Sequence, residues 1–149
     1  MNLENIQKLL GLIDQFKTVK RTTRNVGQES QENDAEHSYE LAIMCWFLAN
    51  EINEIEVILN IEKILKYALV HDLVEAYAGD TNSFDEEAIA TKNEREYKAF
   101  EIIKKEFVFF PEVALSIQEY EMQADAESVF VKSIDKIQPM LASLREFEI

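Results

Sequence analysis

Two histidines and several carboxylates are the side chains of this sequence with the clearest capacity for chemistry. His71 and Asp72 are adjacent in an apolar stretch, with Glu75 one helical turn further on and Asp80 close behind. Burial of such groups without partners is expensive, and a divalent metal is one partner that removes this cost. The stretch therefore predicts a metal centre, provided that other segments supply further ligands.

The second histidine and one further carboxylate have positions that can complete such a site. His37 lies in the first turn of a predicted helix, and helical phase places Asp135 among apolar neighbours. Two imidazoles and two carboxylates from three helices form a mixed donor set that suits Mn, Fe, Co, Ni or Zn. A metal in such a set polarises a phosphoryl oxygen and lowers the pKa of its bound water to about 7. These residue types therefore point to hydrolysis.

The elements that position these residues are predicted to be helices, because apolar residues recur at helical spacing and no strand alternation is found. The helical segments are residues 3–17, 35–51, 61–78, about 89–107, 111–123 and 126–147. Residues 17–34 lack this period and are predicted to form a long polar loop, a kind of segment that is often functional. We therefore predict an all-α bundle of about six helices with the metal site in its core.

Local signals indicate where several of these helices begin and end. Asn33 with Glu36 resembles a capping box, and Asn60 is a further predicted N-cap. Gly79 suits a helix C-terminus, and Pro111 suits a first helical turn. The predicted core residues of the second helix are Leu41, Ile43, Met44, Phe47 and Leu48, with Cys45 and Trp46 assigned to the core by default. The charged runs 85–87 and 94–96 are interpreted as solvated helix faces.

The composition restricts the classes of partner and compartment. A length of 149 residues predicts one domain over residues 1–149. The last helical pattern has no stop signal, so whether Ile149 is the natural end stays open. Pro139 is expected to kink this last helix. A net charge of −14 excludes nucleic-acid polymers and anionic membranes as expected partners. The single Cys45, in an apolar run, favours a reducing, cytoplasmic setting, and neither a membrane span nor a signal pattern is found.

Taken in order along the chain, these residues resemble the HD-domain metal-dependent phosphohydrolases. His37, His71-Asp72 and Asp135 match the family signature H…HD…D. Further motifs, spread over about residues 9–142, resemble the 5′-deoxynucleotidase branch: Phe16-Lys-x-x-x-Arg21, Glu32-Asn-Asp-Ala-Glu-His-Ser38, His71-Asp-Leu-Val-Glu75, Ala78-Gly-Asp80, Glu119-Tyr-Glu121 and Lys132-Ser-Ile-Asp-Lys136. The HD dipeptide alone is a weak signal, whereas the ordered set on a helical background is strong.

The resemblance implies an all-helical HD fold that hydrolyses ribo- or deoxyribonucleoside 5′-monophosphates to nucleoside and phosphate. A divalent transition metal would be held by His37, His71, Asp72 and Asp135, with Co, Mn, Zn, Fe and Ni all open as its identity. The expected partner is a small nucleotide rather than a polymer. Because members of the family tend to form dimers, a homodimer is also expected.

The resemblance further implies roles for three residues outside the ligand set. Glu75 would orient the attacking water or act as general acid, and Asp80 would order that water or protonate the leaving alkoxide. Arg21 matches the arginine that holds the phosphate in the family, a task that suits a guanidinium fork. The branch carries a Trp beside this arginine, whereas Thr22 follows it here, so a preference for deoxyribose does not follow.

Plainer interpretations of the same residues stay open. Each histidine can serve its own helix, as a cap or as a core residue, and the two aspartates can form buried ion pairs. Glu75, Asp80 and Arg21 can be ordinary surface or capping groups. The functional alternatives are an HD-type phosphodiesterase or nucleotide polyphosphate hydrolase, and a non-catalytic regulatory protein with a structural metal.

Overall fold

Helices form almost the whole fold in this computed structural model, which describes residues 2–24, 29–55 and 58–147. In these ranges the helices are α1 (Leu3–Thr18), α2 (Asp34–Asn53), α3 (Ile61–Val70), α4 (Glu75–Ala78), α5 (Glu86–Glu106), α6 (Pro111–Met122) and α7 (Ala126–Phe147). Two short strands, β1 (Lys20–Arg24) and β2 (Gln31–Asn33), lie between α1 and α2. The predicted all-α class is confirmed. The predicted continuation of the last helix to residue 149 lies outside the described residues.

The long loop predicted for residues 17–34 contains an antiparallel strand pair instead. β1 and β2 pair Lys20 with Asn33 and Arg24 with Gln31, and the register is irregular between these two pairs. Strands of five and three residues are too short to show a clear period-two pattern. The pairing fixes the backbone of Arg21 beside the beginning of α2, which also begins directly after Asn33.

The helix predicted for residues 61–78 is broken where the chemistry is concentrated. α3 ends at Val70, a turn occupies residues 71–74, and α4 begins at Glu75. The backbone of His71 keeps helical angles (φ −56°, ψ −38°), and the Glu75 N–H donates to the Asp72 carbonyl at 2.8 Å, a tight three-residue spacing. Apolar periodicity continues through the turn, so the sequence pattern does not reveal it. Gly79 ends α4 as predicted, with a φ of +76° that favours glycine.

Two hydrophobic clusters hold the helices together, and α3 belongs to both. The first cluster joins α1, the end of α3, α4, α5 and α6 and includes Leu12, Phe16, Val70, Ile103 and Ile117. The second joins α2, α3, α6 and α7 and includes Leu41, Cys45, Ile64, Tyr67 and Val131. Of the helix predicted for residues 61–78, the part that forms α3 therefore occupies the centre of the fold, and the rest lies in the turn and in α4. The turn at residues 71–74 follows directly from the region where the clusters meet.

The predicted helix termini are confirmed by hydrogen bonds. The Asn33 side chain accepts from the N–H groups of Ala35 and Glu36, and the Glu36 carboxylate accepts from the Asn33 N–H, which completes the capping box. Asn60 caps α3 by accepting from the Lys63 N–H at 3.1 Å.

No helix in the described part of the chain is both long and apolar enough to cross a membrane.

One face of α2 carries large apolar side chains in solvent, and we call it the α2 outer face. Its members are Tyr39, Ile43, Trp46 and Phe47, which are 68%, 47%, 48% and 61% exposed. The core positions predicted for Ile43, Trp46 and Phe47 were therefore wrong, although Leu41 and Cys45 are fully buried as predicted. The error arises because α2 is apolar on most sides, and periodicity alone does not show which side finds a partner within the chain.

Candidate metal centre

The four predicted metal ligands converge at the turn that follows α3. From α2, His37 Nε2 lies 2.9 Å from Asp135 Oδ1 on α7 and 4.0 Å from Asp72 Oδ2. His71 Nε2 lies 3.0 Å from Asp72 Oδ2 and 3.8 Å from Asp135 Oδ1. The two imidazole rings have centroids 5.2 Å apart. The structure thus brings two imidazole nitrogens and two carboxylates into one small volume, from residues far apart in the sequence.

A backbone hydrogen bond orients His71 toward the other ligands. Its Nδ1 lies 2.8 Å from the carbonyl oxygen of Ala68, and a carbonyl only accepts, so Nδ1 carries a proton. In the neutral ring that metal binding requires, the lone pair of Nε2 faces the cluster, and no donor among the described residues bonds this buried nitrogen. A histidine fixed through one nitrogen, with the other free, is the usual arrangement of a metal ligand.

A second group of carboxylates adjoins the first. Asp34, Asp72 and Glu75 each place one oxygen within 4.8 Å of the others. Asp34 and Glu75 are 0% and 4% exposed, and both Asp34 oxygens and Glu75 Oε2 make no hydrogen bond among the described residues. The prediction from sequence missed Asp34, because an acidic residue in a first helical turn is ordinary.

Burial and repulsion between neighbouring carboxylates make Asp34 and Glu75 of this group hard to ionise. Burial, aided by the charges of Asp72 and Asp34, raises the pKa of Glu75 to about 10. Burial and the charge of Asp72 raise the pKa of Asp34 to about 6. Burial lowers the pKa of His71, but Asp72 and Asp135 outweigh it and raise that pKa to about 9. The site holds more negative groups than its own cations can neutralise.

These features fit a divalent metal. Two imidazoles and two carboxylates match the donor preferences of Mn, Fe, Co, Ni and Zn. No donor among the described residues bonds the buried His71 Nε2. The ionised form of Asp72 is favoured, because nearby His71 and Arg21 outweigh the effect of burial and lower the pKa of Asp72. A divalent cation would also supply positive charge to the crowded carboxylates. The donor set does not select one metal among these.

Arg21 reaches the centre from β1 and is surrounded by carboxylates. Its Nη1 donates to Asp72 Oδ2 at 2.8 Å and lies 3.5 Å from Asp34 Oδ1. Its Nε lies 3.5 Å from Glu32 Oε2, and the same oxygen of Glu32 is 3.9 Å from His37 Nδ1. The structure therefore brings Arg21 to the predicted ligands, through a strand that the sequence pattern did not indicate.

The loop after α4 and one lysine of α5 complete the surroundings. Asp80 is half-buried in this loop, and its charge contributes to the raised pKa of Glu75. On α5, Lys92 Nζ lies 3.4 Å from Glu96 Oε1. Burial lowers the pKa of Lys92, but the charges of Glu96, Glu75 and Asp72 outweigh burial, so the pKa of Lys92 is raised. No local pattern distinguishes Lys92 from the other lysines of α5, so the sequence alone did not reveal it.

Residues 13–148 match the model of a family described as "HD domain". The chain belongs to the HD-domain family. This HD-domain chain is 32% identical over 151 residues to the 5′-deoxynucleotidase HDDC2 of Danio rerio, covering 98% of the chain and 71% of that protein. It is 29% identical over 161 residues to the 5′-deoxynucleotidase hdd1 of Schizosaccharomyces pombe, covering 99% of the chain and 76% of that protein.

Solved structures agree with this assignment. A protein of Magnetospirillum magnetotacticum described as a "predicted metal-dependent phosphohydrolase" superimposes with a TM-score of 0.77 at 34% identity, over 94% of the HD-domain chain and 69% of that protein. A protein of Pyrococcus horikoshii superimposes with a TM-score of 0.73 at 29% identity, over 96% and 78% of the two chains. The resemblance to the HD-domain metal-dependent phosphohydrolases, found in the sequence motifs, is confirmed.

Proposed function

We propose that this HD-domain chain is a phosphomonoesterase that hydrolyses nucleoside 5′-monophosphates to nucleoside and phosphate. The observation that carries the proposal is the convergence of His37, His71, Asp72 and Asp135 into one partly buried donor set beside Glu75. Several relatives named 5′-deoxynucleotidase, about 30% identical over nearly the whole chain, support the nucleotide as substrate. Ribose and deoxyribose substrates are both included in the proposal.

In this proposal the reaction is an in-line displacement at phosphorus. The oxygen of a water forms the new P–O bond and the water gives up one proton, while the bond to the 5′ oxygen of the nucleoside breaks and that oxygen takes up a proton. When bound by the two histidines and two aspartates, a divalent cation supplies Lewis-acid chemistry by withdrawing electron density from a phosphoryl oxygen. The remaining tasks are to bind the phosphate, to orient the water and to move a proton.

Glu75 and Asp80 are proposed to take the proton-transfer tasks. Without a bound cation, burial and neighbouring carboxylates raise the pKa of Glu75 to about 10, which favours a protonated Glu75 that can donate to the leaving oxygen. Its position one turn after His71 also suits orientation of the attacking water. Asp80, in the loop after α4, takes the complementary role, either ordering that water or protonating the leaving oxygen.

Arg21 is proposed to hold the phosphate of the substrate. Its Nη1 contacts Asp72 directly, so a phosphate near the predicted ligands lies within reach of the guanidinium. An arginine fork binds two phosphate oxygens at once, which orients the ester for in-line attack. If the guanidinium exchanges a carboxylate contact for a phosphate contact, its charge is still balanced, because both partners are anionic.

A grid of metals against nucleotides tests the proposed reaction. The protein is stripped with chelator, then assayed with Co²⁺, Mn²⁺, Zn²⁺, Ni²⁺ or Fe²⁺ on 5′-monophosphates, polyphosphates and cyclic nucleotides, with phosphate and chromatographic readouts. We expect phosphate release from 5′-monophosphates that requires Co²⁺ or Mn²⁺ and stops with chelator. Preferential cleavage of cyclic nucleotides or polyphosphates would favour the phosphodiesterase or polyphosphate alternative. Tight metal retention without turnover on any ester would favour a regulatory protein.

We further propose that the chain forms a homodimer through the α2 outer face. Residues 41–50 contain no charged residue, although the chain carries a net charge of −14 that repels a second copy elsewhere. Ile13 and Tyr39 line one groove of about 420 Å³, so the exposed stripe of α1 (Ile6, Leu10 and Ile13) continues the apolar surface. At about 200 Å² per fully exposed large side chain, the combined face offers roughly 700 Å², near the ~800 Å² per partner of a standard interface.

The variant Phe47→Glu tests this interface. The wild type is expected to show twice the chain mass of 17.3 kDa by light scattering, whereas the variant is expected to be monomeric, because the interface would bury an unpaired charge. Tyr97→Glu is the matched control, since Tyr97 of α5 is 65% exposed but lies outside the face. A monomeric wild type, or a dimer that persists in Phe47→Glu, would contradict the interface.

The cytoplasmic location, supported by the free and buried Cys45, stays a prediction that cell fractionation can test.

A further inference from the structure

One guanidinium of α5 ties that helix to the loop after α4. Arg95 Nη1 donates to the Ala78 carbonyl at 2.6 Å, and Nη2 donates to Thr81 Oγ1 at 2.8 Å. The same side chain donates through Nη2 to the Ala88 carbonyl at 3.1 Å and through Nε to Thr91 Oγ1 at 3.3 Å. The interpretation of residues 94–96 as a purely solvated face was therefore wrong for Arg95, which is half-buried.

Two of these hydrogen-bond partners flank Asp80. Ala78 ends α4, and Thr81 follows Asp80 directly, so the contacts of Arg95 span the residue proposed to assist the reaction. Gly79, with its positive φ, lies inside the same short segment and has wide conformational freedom. The other hydrogen bonds that the structure gives for the loop are local, such as those from the N–H groups of Gly79 to Glu75 and of Asp85 to Asn82. Arg95 therefore adds contacts from another helix to these local hydrogen bonds.

A restraint of this kind matters because a reacting group has to be held closely. Catalytic side chains need to stay within about 0.5 Å of their productive position, and a misplacement of about 1 Å can cost roughly 10²-fold in rate. A planar guanidinium suits the task, since its donors point in fixed directions toward several acceptors, whereas a lysine ammonium is a single flexible point.

We propose that Arg95 is a positioning residue that fixes residues 78–81 and thereby holds Asp80 at the metal centre. Its effect on the rate rests on the proposed function, because Asp80 must take part in the reaction. Its restraint of the loop does not depend on that function, so the two parts can fail separately and are tested by different measurements.

Hydrogen exchange of the full chain tests the restraint itself. In Arg95→Ala the amides of residues 79–85 are expected to exchange at least about 10-fold faster than in the wild type, because local opening becomes easier. Lys98→Ala is the matched control, since Lys98 lies on the same helix, is exposed and pairs with Glu94 one turn away. Unchanged exchange in Arg95→Ala would overturn the proposal. If that variant does not fold, Thr81→Val removes the hydrogen bond from Nη2 to Thr81. A smaller increase in exchange is then expected, and unchanged exchange would again overturn the proposal.

Kinetics of single and double variants test the link to Asp80. In Arg95→Ala the kcat is expected to fall about 10²-fold with little change in KM or in Co²⁺ affinity, and Arg95→Lys is expected to restore only part of it. In an Asp80→Asn background the same change is expected to cost less than about 3-fold, because the positioned group is already absent. Equal losses in both backgrounds would indicate a general structural role and overturn the proposal. An inactive wild type would contradict the proposed function, and hydrogen exchange would then decide on the restraint.

Discussion

His71→Ala and Asp72→Ala are each expected to lower metal-dependent phosphate release by at least about 10³-fold. Each change removes one ligand atom from the cluster in which His71 Nε2 lies 3.0 Å from Asp72 Oδ2. Loss of the several kcal/mol that a bound cation provides at a phosphoryl oxygen corresponds to roughly this factor. The measurement is phosphate release with saturating Co²⁺ or Mn²⁺, together with metal content after gel filtration, which is expected to fall in both variants.

Asp14→Asn is the control for these ligand variants. Asp14 is an exposed carboxylate of α1 that pairs with Lys17, so its loss should leave activity and metal content unchanged. His71→Asn and Asp72→Asn keep more of the packed volume and distinguish loss of the ligand from loss of the fold. Turnover like that of the wild type in both ligand variants would contradict the assigned metal centre and the function derived from it.

Glu75→Gln is expected to lower kcat by about 10²- to 10⁴-fold while metal content is retained. The amide keeps the size of the side chain but can neither donate the carboxyl proton nor act as a base, and general acid–base catalysis contributes a factor of this order. Glu101→Gln is the control, since Glu101 is a solvent-exposed residue of α5 near Lys104. Retention of wild-type kcat in Glu75→Gln would contradict the proton-transfer role of Glu75 and leave the metal centre unaffected.

The same substitution is expected to change how the stability of the metal-free protein depends on pH. The folded state keeps a proton on Glu75 up to a pKa of about 10, whereas the unfolded chain releases it near 4.5. The free energy of unfolding therefore falls as pH rises between these values, because the folded state binds more protons. Glu75→Gln removes this part of the decline, by at least about 1 kcal/mol or roughly 2–4 °C in the unfolding midpoint.

Thermal unfolding in chelator from pH 5 to pH 9 provides the measurement. A smaller decline is expected to remain in Glu75→Gln, because the raised pKa of His71 also makes stability fall as pH rises from about 6.5 to about 9. Addition of Co²⁺ should reduce the decline in the wild type, since a cation compensates the carboxylates. Parallel curves for the wild type and Glu75→Gln would contradict the assigned environment of Glu75.

The helices could largely be predicted from the sequence, because they depend on local spacing, and the residues predicted as metal ligands do converge in the structure. Apolar periodicity and caps such as Asn33 define helix positions, and the order of His37, the His71-Asp72 pair and Asp135 carries the family resemblance. These signals lie within a few residues of the feature that they indicate, or in a fixed order along the chain.

The features that were missed depend on contacts between distant segments. Arg95 acts through acceptors on the loop after α4, and Asp34 is distinguished by carboxylates from residues 72 and 75 rather than by its own neighbours. The exposure of Phe47 likewise depends on which helices pack against α2, which its apolar pattern does not specify. In each case the deciding partner lies outside the window that a sequence pattern covers.

The hydrogen bond between His37 and Asp135 joins residues 98 positions apart. A cation that stayed bound to both residues in the unfolded chain would close this length of chain into a ring. It would then reduce the conformational entropy of the unfolded ensemble. A cation that binds the folded chain alone instead stabilises it by an amount that grows with the logarithm of its free concentration. Either way, the supply of metal in the cell would set how much of the protein survives proteolysis, in addition to how fast it turns over substrate.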